Sequence, residues 1–222
     1  MITSTANQKI KRILKLQKKA KARNEEGIFI VEGIRMMKEA PEDQIKELYI
    51  SETFLQKYPD LPEHLKKKAE MVSDPVFAHM SDTKTPQGIL GVIRRMSWTM
   101  DELLHGEDGR APFLMVLDHL QDPGNLGTIF RTAEGAGVTG VILGSNCADL
   151  YQPKVIRSTM GSIYRMRAVC VDDMKETVRL LKQHGIHTYA AHLDDSRFYD
   201  EEDYTKPTAF LIGNEGNGLP EE

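Results

Sequence analysis

Leu114-Met-Val-Leu-Asp-His-Leu-Gln-Asp-Pro-Gly-Asn-Leu-Gly-Thr-Ile-Phe-Arg131-Thr-Ala-Glu-Gly-Ala-Gly137 decides how the chain is read. An apolar run fit for a buried strand enters Asp122-Pro-Gly-Asn125, a strong turn signal. A helix expected over Leu126–Ala136 follows, and Gly137 stands where a left-handed residue closes a helix. The same alternation continues outward. Strands are expected at Phe113–Leu120, Gly140–Leu143, Arg165–Val171, His187–His192 and Ala209–Ile212, with helices at Pro153–Met160 and Asp173–His184. Strands alternating with helices predict an α/β domain, a mostly parallel sheet covered on both faces. Ligands of such sheets bind beyond the carboxyl ends of the strands. Two of the loops there stand out, 121–125 and Gly213-Asn-Glu-Gly-Asn-Gly218.

Residues 1–97 read as a smaller α/β unit. Its expected elements are a helix capped by Ser4-Thr5, strands at Ile28–Val31, Ile45–Ser51 and Gly88–Arg94, and helices at Gly33–Ala40, Glu52–Tyr58, Pro62–Ala69 and Asp74–Met80. Residues 98–110 are polar and read as a linker, leaving 111–222 as the second domain. The net charge of −4 divides unevenly: residues 1–98 hold 18 Lys/Arg against 13 Asp/Glu, and 99–222 hold 11 against 20. Lys9, Lys11, Arg12, Lys15, Lys18, Lys19, Lys21 and Arg23 fall within the first 24 residues, which contain no acid. This run is either a solvated helix face or a phosphate-binding surface. No apolar run is long enough to span a membrane, and the basic, amphipathic N-terminal stretch, without an apolar h-region or cleavage site, is not expected to be a secretory signal. Cys147 and Cys170 lack metal-ligand spacing, so no metal is expected, and the thiols suit a reducing cytoplasm.

Asn125 is placed to cap the next helix or to act chemically. Arg131, expected within that helix's first two turns, offers a planar fork to a phosphate or oxyanion, or pairs with Glu134 on the surface. Three glycines in 213–218 let a ligand approach the backbone, yet the spacing matches neither a dinucleotide fingerprint nor a phosphate-binding P-loop. Glu215 there can fix loop geometry by accepting hydrogen bonds. His119 reads as a structural strand residue. Arg157 and Ser158 either touch a phosphate or lie idle at the surface.

Together, Asp122-Pro-Gly-Asn125 with Gly127, Arg131-Thr-Ala-Glu and Gly135-Ala-Gly137, then Lys154-Val-Ile-Arg-Ser-Thr-Met-Gly161-Ser, then Leu211-Ile-Gly213-Asn-Glu215-Gly-Asn-Gly218-Leu, resemble the SpoU (TrmH-type) RNA 2′-O-ribose methyltransferases of the SPOUT superfamily. Residues 1–95, including Thr85-Pro-Gln-Gly-Ile-Leu90, resemble the L30e-like substrate-binding domain that precedes the catalytic domain in ribosomal RNA members. The resemblance implies a trefoil-knotted α/β fold, S-adenosylmethionine as methyl donor, a cytoplasmic homodimer, and structured RNA, above all ribosomal RNA, as substrate. Transfer RNA, or RNA binding without turnover in ribosome assembly, are the alternatives. It implies catalytic roles for Arg131, Asn125 and Glu215, and a cofactor pocket formed by the backbone at Leu193, Gly213, Asn214, Gly216 and Gly218. Lys9, Lys11, Arg12, Lys15, Lys18, Lys19, Arg23, Arg157 and Ser158 are expected to hold the RNA. The family describes the arginine as a base, but a guanidinium stays protonated. Arg131 is better suited to binding the adjacent phosphate and stabilising a developing alkoxide. The family's third motif, expected about 20 residues beyond Gly218 and closing the knot, is missing from a sequence that ends at Glu222.

Overall fold

The computed structural model describes residues 1–106, 109–191 and 198–219. The chain divides into two compact units, Met1–Met96 with Asp149–Tyr164, and Ser97–Ala148 with the described residues from Arg165 onward. Among the described residues no helix is long and apolar enough to cross a membrane.

In the first unit the elements run α1 (Gln8–Lys18), α2 (Ala20–Glu26), β1 (Ile28–Glu32), α3 (Ile34–Glu39), β2 (Ile45–Ser51), α4 (Glu52–Lys57), α5 (Glu63–Lys68), β3 (Ala69–Val72), α6 (Asp74–Met80) and β4 (Ile89–Arg94). The sheet order is β1-β4-β2-β3, antiparallel except for the β2–β3 pair. Ile10, Ile13 and Leu16 of α1 are fully buried in the core with Ile28, Val72, Phe77 and Val92. Asn7, not Ser4-Thr5, caps α1, its side chain accepting from the Lys9 amide. Two elements depart from expectation. α2 (AKARNEE) has no apolar stripe to announce it, and β3 (AEMV) is a four-residue edge directly after a lysine-rich helix end.

The second unit begins with α7 (Met100–Leu104), inside the span expected as a linker. Thr99 and Glu102 form a reciprocal capping box there. Then come β5 (Phe113–Leu117), α8 (Pro123–Gly135) and β6 (Gly140–Gly144). Helix α9 (Pro153–Thr159) follows in the chain but groups with the first unit. The chain continues through β7 (Ala168–Val171), α10 (Met174–Gln183), β8 (His187–Ala190) and β9 (Thr208–Ile212). The five strands are all parallel in the order β7-β6-β5-β9-β8. Leu114, Val116, Ile142, Leu181 and Ala209 form its core, closing the parallel sheet that the strand–helix alternation predicts. Gly137 and Gly185 take φ of 77° and 71°, the left-handed helix ends read from sequence.

Two boundaries matter for the site. β5 stops at Leu117 rather than Leu120, because the His119 backbone turns to φ 54°. α8 starts three residues early: Pro123 takes the first helical turn, where its missing N–H costs nothing, and Asp122 caps it by accepting from the Asn125 amide at 2.8 Å.

Candidate active site

β5 and β9 are neighbours, with Leu117 opposite Ile212, so the loops leaving their carboxyl ends emerge side by side. In the loop after β9, Gly213 is buried. A Cβ there would lie 2.2 Å from the Gly218 carbonyl carbon and oxygen, so only glycine lets the loop fold back this tightly. Asn214 closes it: its amide donates to the Gly218 carbonyl at 2.8 Å, and the Gly218 amide donates back at 2.9 Å. The Asn214 side-chain oxygen accepts from the Gly216 and Asn217 amides at 2.9 and 3.0 Å. Its nitrogen donates to the His119 carbonyl at 2.9 Å, tying this loop to the one after β5. The turn at His119 is therefore a joint rather than a strand position. Its Nδ1 stands 3.0 Å from the carboxylate of Asp118.

Glu215 makes the second tie. Its carboxylate accepts from the backbone amides of Asp122 at 3.0 Å and Gln121 at 3.3 Å, and from the Asn125 side-chain nitrogen at 3.2 Å. These N–H groups favour the charged form. They hold the carboxyl at about 2, with the Asp122 amide contributing most, then the residue's own amide. Glu215 accordingly braces the first turn of α8 from outside, and Asn125 braces Glu215. The cap expected of Asn125 belongs to Asp122, which leaves the Asn125 carboxamide facing the β9 loop.

Between these loops lies a cavity of about 350 Å³. Leu120, Ile129 and Ile212 give it apolar walls, while Asn125, Asn214 and Glu215 give it polar ones. The size falls in the range of small-ligand sites. Apolar walls beside carboxamide and carboxylate side chains fit a ligand that has both an apolar face and hydrogen-bonding groups. Asn125, Glu215, Gly213, Asn214 and Gly218 are thus brought together as lining. Gly216 sits at the loop tip, outside the lining, and Leu193 lies outside the described residues. Sequence reading passed over Thr128 and Ile129, which also line the cavity. The signal was present, since they follow Asn125 by three and four residues and so share its helix face.

Arg131 stands apart from this lining. It lies in the third turn of α8, about 9 Å along the axis from Asn125, because the helix starts at Pro123. It is exposed, and among the described residues it makes no hydrogen bond or ion pair. The surface pairing with Glu134 is not formed. Glu134 is taken by Arg165 instead.

The basic run divides. Arg23 is 3% exposed, and its guanidinium donates to the Leu16 and Gln17 carbonyls at 2.5 and 2.9 Å and pairs with Asp149. It is a buried brace, not a surface residue that can meet RNA. Lys9 pairs with Glu70 at 2.5 Å, and Arg12 with Glu26 at 2.5 Å and Glu47 at 2.8 Å. Glu25 and Glu26, just after the run, and Glu47, Glu70 and Asp149, distant in sequence, supply the partners that the first 24 residues lack. Lys11, Lys15, Lys18 and Lys19 are exposed and make no ion pair among the described residues. Lys11, Lys15 and Lys18, spaced by four and three, form one stripe of α1. Arg157 pairs with Asp82 at 2.7 Å, and the Ser158 hydroxyl donates to the Lys154 carbonyl at 3.0 Å.

Residues 112–222 match the model of the SpoU rRNA Methylase family, and residues 7–91 match the MRM3-like substrate binding domain. The 23S rRNA (guanosine(2553)-2'-O)-methyltransferase RlmP of Bacillus subtilis is 32% identical over 98% of this chain and 84% of its own length. The human mitochondrial rRNA methyltransferase 3 is 35% identical over 63% of this chain and 29% of its own. A crystal structure of an AdoMet-bound rRNA methyltransferase from Sinorhizobium meliloti superposes with a TM-score of 0.81. It is 29% identical and covers 99% of this chain and 82% of that one.

Proposed function

The chain belongs to the SpoU rRNA methylase family, and from that premise we propose that it transfers a methyl group to a ribose 2′-hydroxyl of ribosomal RNA. The observation that carries the reading is the cavity braced by Glu215 and Asn125 beyond the ends of β5 and β9, where a parallel sheet takes its ligands. S-adenosylmethionine is the cofactor, and when bound it supplies a methyl group on a sulfonium, already a good leaving group. The chain's own task is then to seat that donor and to hold and activate a hydroxyl of high pKa. Gly213, Asn214 and Gly218 shape the backbone wall, Leu120, Ile129 and Ile212 exclude water, and Asn125 with Glu215 fixes the rim. Arg131, whose guanidinium makes no hydrogen bond or ion pair among the described residues, binds the phosphate next to the target ribose and stabilises the oxygen as its proton leaves. Its place outside the cavity lining suits a residue that meets RNA rather than donor.

Residues 1–97 serve as the RNA-recognition domain and 111–222 as the methyltransferase domain in this reading. Its support is the substrate-binding match over 7–91 and the open stripe of Lys11, Lys15 and Lys18. We further take the working form to be a cytoplasmic homodimer, as the resemblance implies. Sedimentation equilibrium checks the dimer, and a monomer at working concentration contradicts it. The function itself is tested by incubating the protein with methyl-labelled S-adenosylmethionine and unmodified ribosomal RNA. Label entering the RNA is expected, and none entering it overturns the proposal.

A further inference from the structure

A second cavity, larger at about 440 Å³, opens in the first unit, far along the chain from any residue given a role in methyl transfer. Phe54 and Phe77 are buried and make its floor, and half-buried Tyr58 stands beside them. The Tyr58 ring lies 4.7 Å from Phe54 between centroids, tilted by 34°, and the Lys57 ammonium lies 5.7 Å from the Tyr58 centroid. Gly88 keeps the floor open. It takes φ +90°, and a Cβ there would sit 2.6 Å from both the Phe54 Cβ and the Ser51 hydroxyl oxygen.

The rim carries two polar groups of opposite kind. The Asp74 carboxylate accepts from the Thr53 hydroxyl at 2.6 Å and the Thr53 amide at 3.2 Å. A carboxylate has about four acceptor sites, so capacity remains for a further N–H. Gln87 is oriented by its oxygen, which accepts from the Ile34 amide at 3.0 Å, and its nitrogen donates to no group among the described residues. The site therefore offers an apolar, aromatic-edged slot with one acceptor, one donor and a nearby cation. A planar heterocycle with an exocyclic amine beside a ring acceptor has the matching chemistry, and an unpaired nucleobase presents it.

We propose that the cavity between Tyr58, Asp74 and Gln87 holds one unstacked base of the RNA, preferring a base that bears an exocyclic amine. The inference rests on the reading of the chain as an RNA-modifying protein. It adds a base-reading pocket to a domain whose open stripe of Lys11, Lys15 and Lys18 suits phosphate and carries no base information. Cytosine pairs its amine with Asp74 and its ring nitrogen with the Gln87 amide, whereas uracil puts a carbonyl against the carboxylate.

The test measures binding of oligocytidylate and oligouridylate of equal length to the full chain across a salt series, with methyl transfer to ribosomal RNA assayed in parallel. Wild type is expected to bind the cytidylate about tenfold more tightly. Tyr58→Ala is expected to lose about tenfold of that affinity with its salt slope unchanged, since a stacking partner and not a charge is removed. Tyr58→Phe keeps the ring and is expected to bind as wild type, which guards against simple misfolding. Asp74→Asn is expected to erase the cytosine preference. Equal binding of both oligomers by wild type, or unchanged binding by Tyr58→Ala and Asp74→Asn, overturns the pocket while methyl transfer to ribosomal RNA continues. Absence of both oligomer binding and methyl transfer overturns the RNA reading along with it.

Discussion

The two glycine- and amide-rich loops of the second unit differ from the basic stretch of the first in how well residue type foretells role. In the loops the polar groups found in sequence are the ones at work: Asn125, Asn214 and Glu215 bond to one another's loops and line one cavity. In residues 9–23 a uniform-looking run of bases separates into a buried brace, three surface ion-pairing residues and a stripe of open lysines. A turn is specified locally, because glycine, proline and side-chain caps act within a few residues. A charge is specified by whatever the fold brings beside it, and Glu47, Glu70 and Asp149 arrive from distant parts of the chain.

The largest effect expected is at Arg131. Arg131→Ala should lower methyl transfer by at least about two orders of magnitude while RNA affinity, read by filter binding, stays within a few-fold. Activity within about threefold of wild type would show that the exposed guanidinium is a bystander. Next comes the loop itself. Gly213→Ala forces a methyl into the Gly218 backbone, so calorimetric affinity for S-adenosylmethionine should fall at least about tenfold, since a close approach that only glycine permits is lost. An unchanged affinity would separate loop closure from donor binding.

The contrast within the basic run gives two smaller effects of different kinds. Arg23→Ala removes a buried guanidinium that holds the Leu16 and Gln17 carbonyls and the part-exposed Asp149, and should cost about 2 kcal/mol in urea unfolding without altering the salt slope of RNA binding. Lys15→Ala should leave stability within about 0.5 kcal/mol and reduce the salt slope by about one. If the two substitutions behaved alike, the division between brace and contact would fail.

The smallest effect is in acid. The Glu215 carboxyl is held at about 2 against an ordinary 4.5. A lowered folded-state value means its stabilisation is complete above the unfolded value and fades as pH falls from there toward 2. The thermal-midpoint difference between wild type and Glu215→Gln should therefore be constant above about pH 5 and shrink below it. A difference that grew on acidification would have the wrong sign for this tie.

The parallel sheet and its loops were legible because their signals are periodic and short-ranged. Strand–helix alternation placed β5, β6, β9 and α10 within a few residues, and Gly137 and Gly185 marked helix ends. Elements without a pattern of their own were not legible. α2 has no apolar face, β3 gains its strand character by pairing with β2, and α7 lies in a stretch whose polarity suggested a linker. The register of α8 was missed because Pro123-Gly124 reads as turn until Asp122 is seen to cap it, and that shift carries Arg131 one turn farther along the helix. The non-glycine φ of 54° at His119, which ends β5 and presents its carbonyl to Asn214, depends on two loops meeting and leaves no mark in either alone.

The central claim is the position that receives the methyl group, and nucleoside analysis of the product tests it most directly. Ribosomal RNA labelled by the protein from methyl-labelled S-adenosylmethionine is digested to nucleosides and separated. The account predicts label in a 2′-O-methylnucleoside with wild type and none with Arg131→Ala. Label on a base-methylated nucleoside, or equal 2′-O-methyl label from the Arg131 variant, would contradict it.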